Sequence, residues 1–373
     1  MIYVHVPFCK SRCIYCGFVS NCMAPTEDYV DGVCREATRR RAEIAASAAI
    51  DTLYFGGGTP SLLPLPWIGR IADACGSRRY KEWTVEVNPD DVTPEYAAGL
   101  RGLGVNRVSM GVQSLSDDML RWMRRRHSAD GARQAFRALR GAGFDNVSVD
   151  IIFGINGMSL ALLQDTVREI LEWRPEHISA YQLSIDDGSA LRELNKVGEY
   201  LPLEDDDCLE QYQFICSALA AAGYEHYEIS NWALPGKRAL HNFTYWDRFP
   251  YVGLGPGAHS MVSESERTWN SKDLKDWKTG GEVLTEWEIW EEKVMLGLRT
   301  SDGIPEKLLS ERPPEDEDDY TPGEYIPDPS KYISRLVPAD KPGHLRIPES
   351  DWFVADDIIS GIVGDNWIYG TLD

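Results

Sequence analysis

The stretch MIYVHVPFCKSRCIYCGFVS, residues 1–20, sets Cys9, Cys13 and Cys16 in a C-x3-C-x2-C pattern directly after an apolar, strand-like run. Three thiols in one short loop ask for a metal centre, and whatever fold the chain adopts must present that loop at a site. A structural zinc ion closes on four protein ligands, yet the position two residues beyond Cys16 is Phe18. A [4Fe–4S] cluster held by three cysteines leaves one iron open to a ligand that does chemistry. Zinc with His5 as fourth ligand, or three separately buried cysteines, are the alternatives that the spacing leaves standing.

At 373 residues, with 43% hydrophobic side chains, 12 Trp and 17 Tyr, the chain is globular and long enough for a large core and a smaller second domain. The expected organisation is a main domain over 1–215, an extension and connector over 216–300, and a small carboxyl-terminal domain over 301–373. No charged and apolar leader precedes the cysteines, so a reducing, cytoplasmic setting is expected. Cys22, Cys34, Cys75, Cys208 and Cys216 show no metal spacing among themselves and read as small buried hydrophobes. No apolar run reaches the roughly 18 residues that span a bilayer, so no transmembrane segment is expected, while peripheral membrane contact stays open. A formal net charge of −21 weighs against nucleic acid as a partner. One basic cluster, Arg121, Arg124, Arg125 and Arg126, reads either as a solvated helix end or as an anion site.

Beyond the cysteine loop, residues 26–49 carry helical spacing with Thr26 as N-cap, and Asp51–Phe55 reads as a strand. Gly56, Gly57 and Gly58 follow it, at a strand end where bare backbone can approach a small ligand. Further strands are expected at 83–87, 107–111, 147–153 and 177–183, with helices at 94–103, 116–124, 128–142 and 159–173. Six consecutive strand–helix units predict an α/β fold, a partial TIM-type (β/α)6 barrel, in which chemistry collects at the carboxyl ends of the strands. No G-x-G-x-x-G follows the first strand, which removes the dinucleotide-binding sheet as a rival. Glu86, Gln113, Arg125 and Asp150 fall at or just beyond strand ends, and Asp150 inside VSVDIIF is an acid that would be costly to bury unpaired. Glu86 and Arg125 could instead pair with each other, and Gln113 could cap a helix.

YVHVPFC, the cysteine spacing, GGGTPS, VEVNP, SMGVQS, VSVDIIFG, YEISNWA, HNFTYW and YVGLGPGAHS together resemble the anaerobic coproporphyrinogen III oxidase-like family of radical S-adenosylmethionine (SAM) proteins over about residues 1–300. The resemblance implies a [4Fe–4S] cluster on Cys9, Cys13 and Cys16, with SAM on its open iron. It implies Tyr3, Gly58, Thr59, Glu86, Gln113, Arg125 and Asp150 around SAM, with Glu86 and Asp150 holding its polar groups. Two functions compete within the family. The oxidases decarboxylate propionates of coproporphyrinogen III in porphyrin biosynthesis, and carry a fourth cysteine and a longer segment ahead of the motif. Phe18 stands at that cysteine's place, only eight residues precede Cys9, and HNFTYW resembles the H-N-x-x-Y-W signature of the family's heme chaperones. A chaperone that binds heme and delivers it to acceptor hemoproteins, at a membrane face or elsewhere, is therefore the favoured reading. His241 could supply an imidazole to heme iron, with Tyr245 and Trp246 as flat faces for the porphyrin; a packed turn is the plain alternative, and His259 is a second candidate.

The carboxyl-terminal part is expected to be α-rich and winged-helix-like, a packing or protein-contact module, interrupted by the acidic, Pro-rich insertion 311–331.

Overall fold

The computed structural model describes residues 1–47, 50–76, 79–313 and 328–364. Six parallel strands run in simple succession: β1 (Ile2–Val6), β2 (Thr52–Gly57), β3 (Glu82–Val87), β4 (Arg107–Gln113), β5 (Val147–Phe153) and β6 (His177–Gln182). Each strand joins the sheet beside the one before it, as in a barrel and unlike a doubly wound sheet, whose order reverses. Three short strands extend the two edges. β7 (Glu225–Glu228) and β8 (Asn231–Ala233) form a hairpin in which β8 pairs antiparallel with β6, and β9 (Val252–Leu254) lies parallel to β1. The stretch 216–300, expected as an extension, thus supplies both edges of the main sheet.

Strict alternation along the strands separates two environments. Leu53 and Phe55, Trp83 and Val85, Val108 and Met110, Val147 and Val149, and Ile178 and Ala180 are fully buried in one apolar core with the helices. Each Val, Leu, Ile, Phe or Met side chain among them contributes roughly 1.5–3 kcal/mol by leaving water. The alternate positions are polar and lie in register: Tyr54 opposite Thr84, Glu86 opposite Ser109, Gly111 opposite Asp150, and Ser148 opposite His177. The concave interior of the sheet is therefore a polar layer, and the hydrophobic core lies between the sheet's convex face and the helices.

The connecting helices begin where the sequence places caps. Thr93, Ser116, Ser128 and Ser159 each accept a backbone N–H of the first turn, starting helices Pro94–Leu103, Asp117–Trp122, Ala129–Gly141 and Leu160–Trp173. Thr26 does the same for Glu27–Arg39, but the single helix expected over 26–49 is interrupted at Arg40. Arg40 turns inward, donating to the carbonyl of Gly253 at 2.9 Å and to Ser260 Oγ at 3.0 Å, which ties this helix to β9.

After β9, an antiparallel sheet forms from β10 (His259–Met261), β11 (Glu266–Asn270) and β12 (Thr279–Val283). The carboxyl-terminal part packs helices Glu286–Leu298 and Ala355–Val363 with a second small sheet of β13 (Ile304–Pro305), β14 (Val337–Pro338) and β15 (His344–Arg346). Helices beside a small antiparallel sheet match the winged-helix-like expectation. Its apolar residues, including Trp290, Ile347, Trp352 and Ile358, continue the main core without a break. Most of the acidic insertion, 314–327, lies outside the described residues.

Candidate metal and cofactor centre

The cysteine loop sits at the carboxyl end of β1 and is pinned by backbone bonds. Cys9 N–H donates to the carbonyl of Asn21 at 2.9 Å, Asn21 N–H donates to Pro7 at 2.9 Å, and Ile14 N–H donates to Met123 at 3.2 Å. A cavity of about 400 Å³ opens beside it, lined by the three cysteines and by strand-end residues from β2 through β6. Of the seven residues expected around a cofactor there, six, Gly58, Thr59, Glu86, Gln113, Arg125 and Asp150, line this cavity together with Cys9, Cys13 and Cys16. Tyr3 sits one layer deeper, its ring stacked toward Tyr54 at 6.1 Å and its hydroxyl 3.0 Å from His5 Nδ1.

The donor set distinguishes the metal alternatives. His5 cannot complete a zinc site, because Tyr3 occupies Nδ1 and the Val19 carbonyl accepts from Nε2 at 2.9 Å. Three sulfurs on one tetrahedral zinc would sit about 3.8 Å apart, given Zn–S bonds of about 2.3 Å. The loop sulfurs do not all fall within 4.8 Å of one another. A wider inorganic core fits them better. Burial pushes the Cys16 thiol up, and the neighbouring Cys13 and Cys9 add to the shift, so the Cys16 thiol ionises readily only against a bound cation.

Polar side chains of the wall are aimed and partly unspent. Arg125 reaches Cys13 Sγ at 3.4 Å, Asn88 Oδ1 at 2.7 Å and the Gly111 carbonyl at 2.8 Å. Thr59 Oγ1 lies 3.5 Å from Cys9 Sγ. Buried atoms Gln113 Oε1, Asn88 Nδ2 and Arg125 Nε have no hydrogen-bond partner within the protein. Gln113 also holds a left-handed backbone, φ 66°, at a bulge ending β4, which turns its side chain out of the strand's alternation. Unspent donors and acceptors of both kinds around one cavity fit a ligand with charged and hydroxyl groups, as SAM has.

Two carboxyls face the same space. Glu86 accepts from Tyr54 Oη at 2.7 Å and from Gly57 N–H at 3.2 Å, yet burial dominates and pushes its pKa up to about 7, helped by Asp150. Asp150 is also raised by burial, against the opposing hydroxyls of Ser179, Ser109 and Ser148. Glu86 and Arg125 do not pair, and Gln113 caps no helix. The glycines after β2 answer first to packing: a Cβ on Gly57, φ 108°, would lie 2.6 Å from the His5 ring, and one on Gly58 would lie 2.8 Å from the Phe8 carbonyl.

The basic cluster divides. Arg125 serves the cavity, Arg126 bonds Asp91 at 3.0 Å, Arg121 pairs with Asp118, and exposed Arg124 lines the cavity mouth. No single anion patch results.

His241 does not face the cavity. It is 1% exposed, its Nδ1 is 2.8 Å from Thr52 Oγ1, its Nε2 is 3.0 Å from Tyr245 Oη, and Tyr54 stacks on it at 4.9 Å. The expectation of an available imidazole is corrected on this point: in this conformation neither ring nitrogen is left for an iron. The motif is instead a packed helix start, where Glu82 accepts the N–H groups of Leu240 and His241 at 2.9 Å each. Of the seven histidines, His259 alone is exposed, its ring stacked toward Trp269 at 6.2 Å. Its loop is held near the cysteines, since Gly257 lies against Val19 and buried Glu36 accepts from Gly255 N–H at 2.9 Å and Asn270 Nδ2 at 2.8 Å. Sequence reasoning missed Asn88 as part of this wall and Tyr54 as the donor to Glu86 behind it.

Comparison with known proteins agrees with this geometry. Residues 3–170 match the model of the radical SAM superfamily. The fold is similar to that of coproporphyrinogen III oxidase (HemN) from Escherichia coli, a radical SAM enzyme, with a TM-score of 0.73 over 98% of this chain and 90% of that one, at 18% identity. The sequence is 32% identical to the heme chaperone HemW of Bacillus subtilis over 83% of this chain and 86% of that protein. It is 34% identical to HemW of Mycobacterium tuberculosis over 82% of both, and 34% identical to HemW of Escherichia coli over 70% of both. Identity above 30% over more than two thirds of both chains means that the chain belongs to the HemW family of heme chaperones.

Proposed function

We propose that this chain carries a [4Fe–4S] cluster on Cys9, Cys13 and Cys16, binds SAM in the adjoining cavity, and binds heme for delivery to acceptor hemoproteins. The observation that carries the reading is the pinned three-cysteine loop on a cavity whose wall still has unspent polar atoms, in a chain that aligns with heme chaperones over most of its length. The cluster with SAM supplies one-electron chemistry to the radical SAM family. The chain's own residues hold and orient. Glu86 and Asp150 take the ammonium or ribose groups of SAM, Gln113 Oε1 accepts a further donor, and Arg125 places a guanidinium beside one cluster thiolate while fixing Asn88.

Phe18, 69% exposed at the cavity mouth, stands where the oxidases of the resemblance carry a fourth cysteine. It offers an apolar face to a porphyrin and no ligand to a cluster. Open His259 is the imidazole that heme iron can reach without rearrangement. His241 could serve only after giving up Thr52 and Tyr245. Delivery at a membrane would be by surface contact, since among the described residues no helix is long and apolar enough to cross one. A cytoplasmic site of action is supported by eight cysteines, all of them free.

The test is product analysis with anaerobically reconstituted protein given reductant, SAM and coproporphyrinogen III, after iron and sulfide content has confirmed the cluster. No decarboxylated product is expected. Protoporphyrinogen with stoichiometric 5′-deoxyadenosine would make the protein an oxidase despite Phe18.

A further inference from the structure

Away from the cavity, one trio of metal-ligating side chains converges. Cys216 lies on helix Asp205–Ala221, His226 on β7, and Glu349 at the start of the turn Glu349–Val354 in the carboxyl-terminal part. Their ligand atoms all lie within 4.8 Å of one another, and among the described residues no other Cys, His, Asp and Glu trio does this.

The histidine is held as a metal-binding imidazole is held. Its Nε2 is 3.2 Å from the Ile229 carbonyl, which can only accept, so Nε2 carries a proton and Nδ1 is the ring nitrogen turned toward the other two side chains. Nδ1 points at Glu349 Oε1 from 2.8 Å. At that distance a proton bridges the two atoms; a metal ion taking both would displace it and part them to about 3.3 Å, the spacing of two ligands about 2.0 Å from one tetrahedral ion. Trp232 stacks on the ring at 4.0 Å and Trp352 meets it edge-on at 4.2 Å, so the imidazole cannot turn away. The His226 side chain is 4% exposed and that of Glu349 is 51% exposed, which leaves one open side for an ion to enter and for water to stay bound. Cys216 adds a soft donor, and the Tyr212 hydroxyl beside its sulfur is itself fixed by donating to Ile229 at 2.9 Å.

We propose that Cys216, His226 and Glu349 bind a zinc-class divalent ion, completed to four ligands by water, which clamps the carboxyl-terminal part to the edge of the barrel. One thiolate, one imidazole and one carboxylate suit a borderline-soft ion of flexible geometry, and the two anionic ligands balance its charge. On binding, the Cys216 S–H bond breaks, a sulfur–metal bond forms, and the proton goes to solvent, with any proton shared between His226 and Glu349. The bound ion joins segments 123 residues apart in the chain. This site is independent of the cluster cysteines and of the function proposed above.

The test exposes cluster-loaded, full-length protein to Zn²⁺, removes loose metal by gel filtration, and counts zinc per chain by mass spectrometry. About one zinc per chain is expected, falling at least tenfold in Cys216→Ser at the same free zinc, with Glu349→Gln also weakened. A second measurement titrates Co²⁺ into the Cys9→Ser/Cys13→Ser/Cys16→Ser chain, which lacks the competing thiols. A thiolate-to-cobalt charge-transfer band is expected there, and it should vanish when Cys216→Ser is added. No retained zinc, or equal retention by wild type and Cys216→Ser, would reduce the trio to an ordinary ion pair beside a thiol.

Discussion

Glu86 is the residue whose energetics say most about the site. Burial raises its carboxyl to about 7, so the folded state holds a proton that the unfolded chain releases near the ordinary value of 4.5. A raised folded-state pKa contributes stability below the unfolded value, and that contribution is lost as pH rises through the folded one. The ligand-free protein should therefore lose stability relative to Glu86→Gln between pH 5 and pH 8, by up to about 3 kcal/mol since one pKa unit is about 1.4 kcal/mol. Urea unfolding of both proteins at the two pH values checks this, and a pH-independent difference would contradict it. Arg125 gives a second residue-scale outcome. Its guanidinium lies 3.4 Å from Cys13 Sγ, so Arg125→Gln should still assemble a cluster but lower its reduction potential by removing a nearby positive charge. An electron paramagnetic resonance redox titration showing an unchanged potential would place that charge elsewhere in the bound state. His259→Ala should weaken heme binding in an absorbance titration while His241→Ala, if it folds, should leave it. The reverse result would mean that helix Leu240–Trp246 moves off Thr52 when heme arrives.

At the scale of elements, the glycine turn after β2 carries the fit between cysteine loop and sheet. Gly57→Ala forces a Cβ to 2.6 Å from the His5 ring at a backbone angle of φ 108°, and should cost about 2–4 kcal/mol and impair iron uptake. Gly143→Ala shares a positive angle, φ 86°, but meets nothing within 4 Å, and should cost only about 1 kcal/mol with normal iron uptake. Equal losses in thermal denaturation would show that the angle, and not the contact, governs Gly57. The strands were legible because motifs such as WTVEV and RVSMGVQ alternate with period two between apolar and polar residues. The same alternation holds the information that one face is polar, but the period alone does not say that this face is the concave one. β7, β8 and β9, of four, three and three residues, are too short for any period to show. The interruption at Arg40 was hidden because its partners, Gly253 and Ser260, lie more than two hundred residues away.

At the scale of the whole molecule, what the sequence motifs could place were the residues at strand ends, because a barrel delivers every such residue to one rim. Glu86, Gln113, Arg125 and Asp150 meet at the cavity for that reason. His241 could not be placed the same way, since HNFTYW sits outside the six units, and its burial depends on Thr52, 189 residues away. The rim unites the cysteine loop, the polar wall and the exposed Phe18, while the loop bearing His259 lies against Val19. In the function proposed above, this arrangement is what would hold a porphyrin near the cluster without enclosing it. The most direct measurement is heme transfer: cluster-loaded protein charged with one heme, mixed under anaerobic conditions with an apo-hemoprotein and followed by absorbance, with the Cys9→Ser/Cys13→Ser/Cys16→Ser chain in parallel. The account predicts that heme passes to the acceptor from the loaded protein, and more slowly or not at all from the chain lacking its cluster. Heme that never binds the loaded protein, or that binds and is not released to any acceptor, would contradict it.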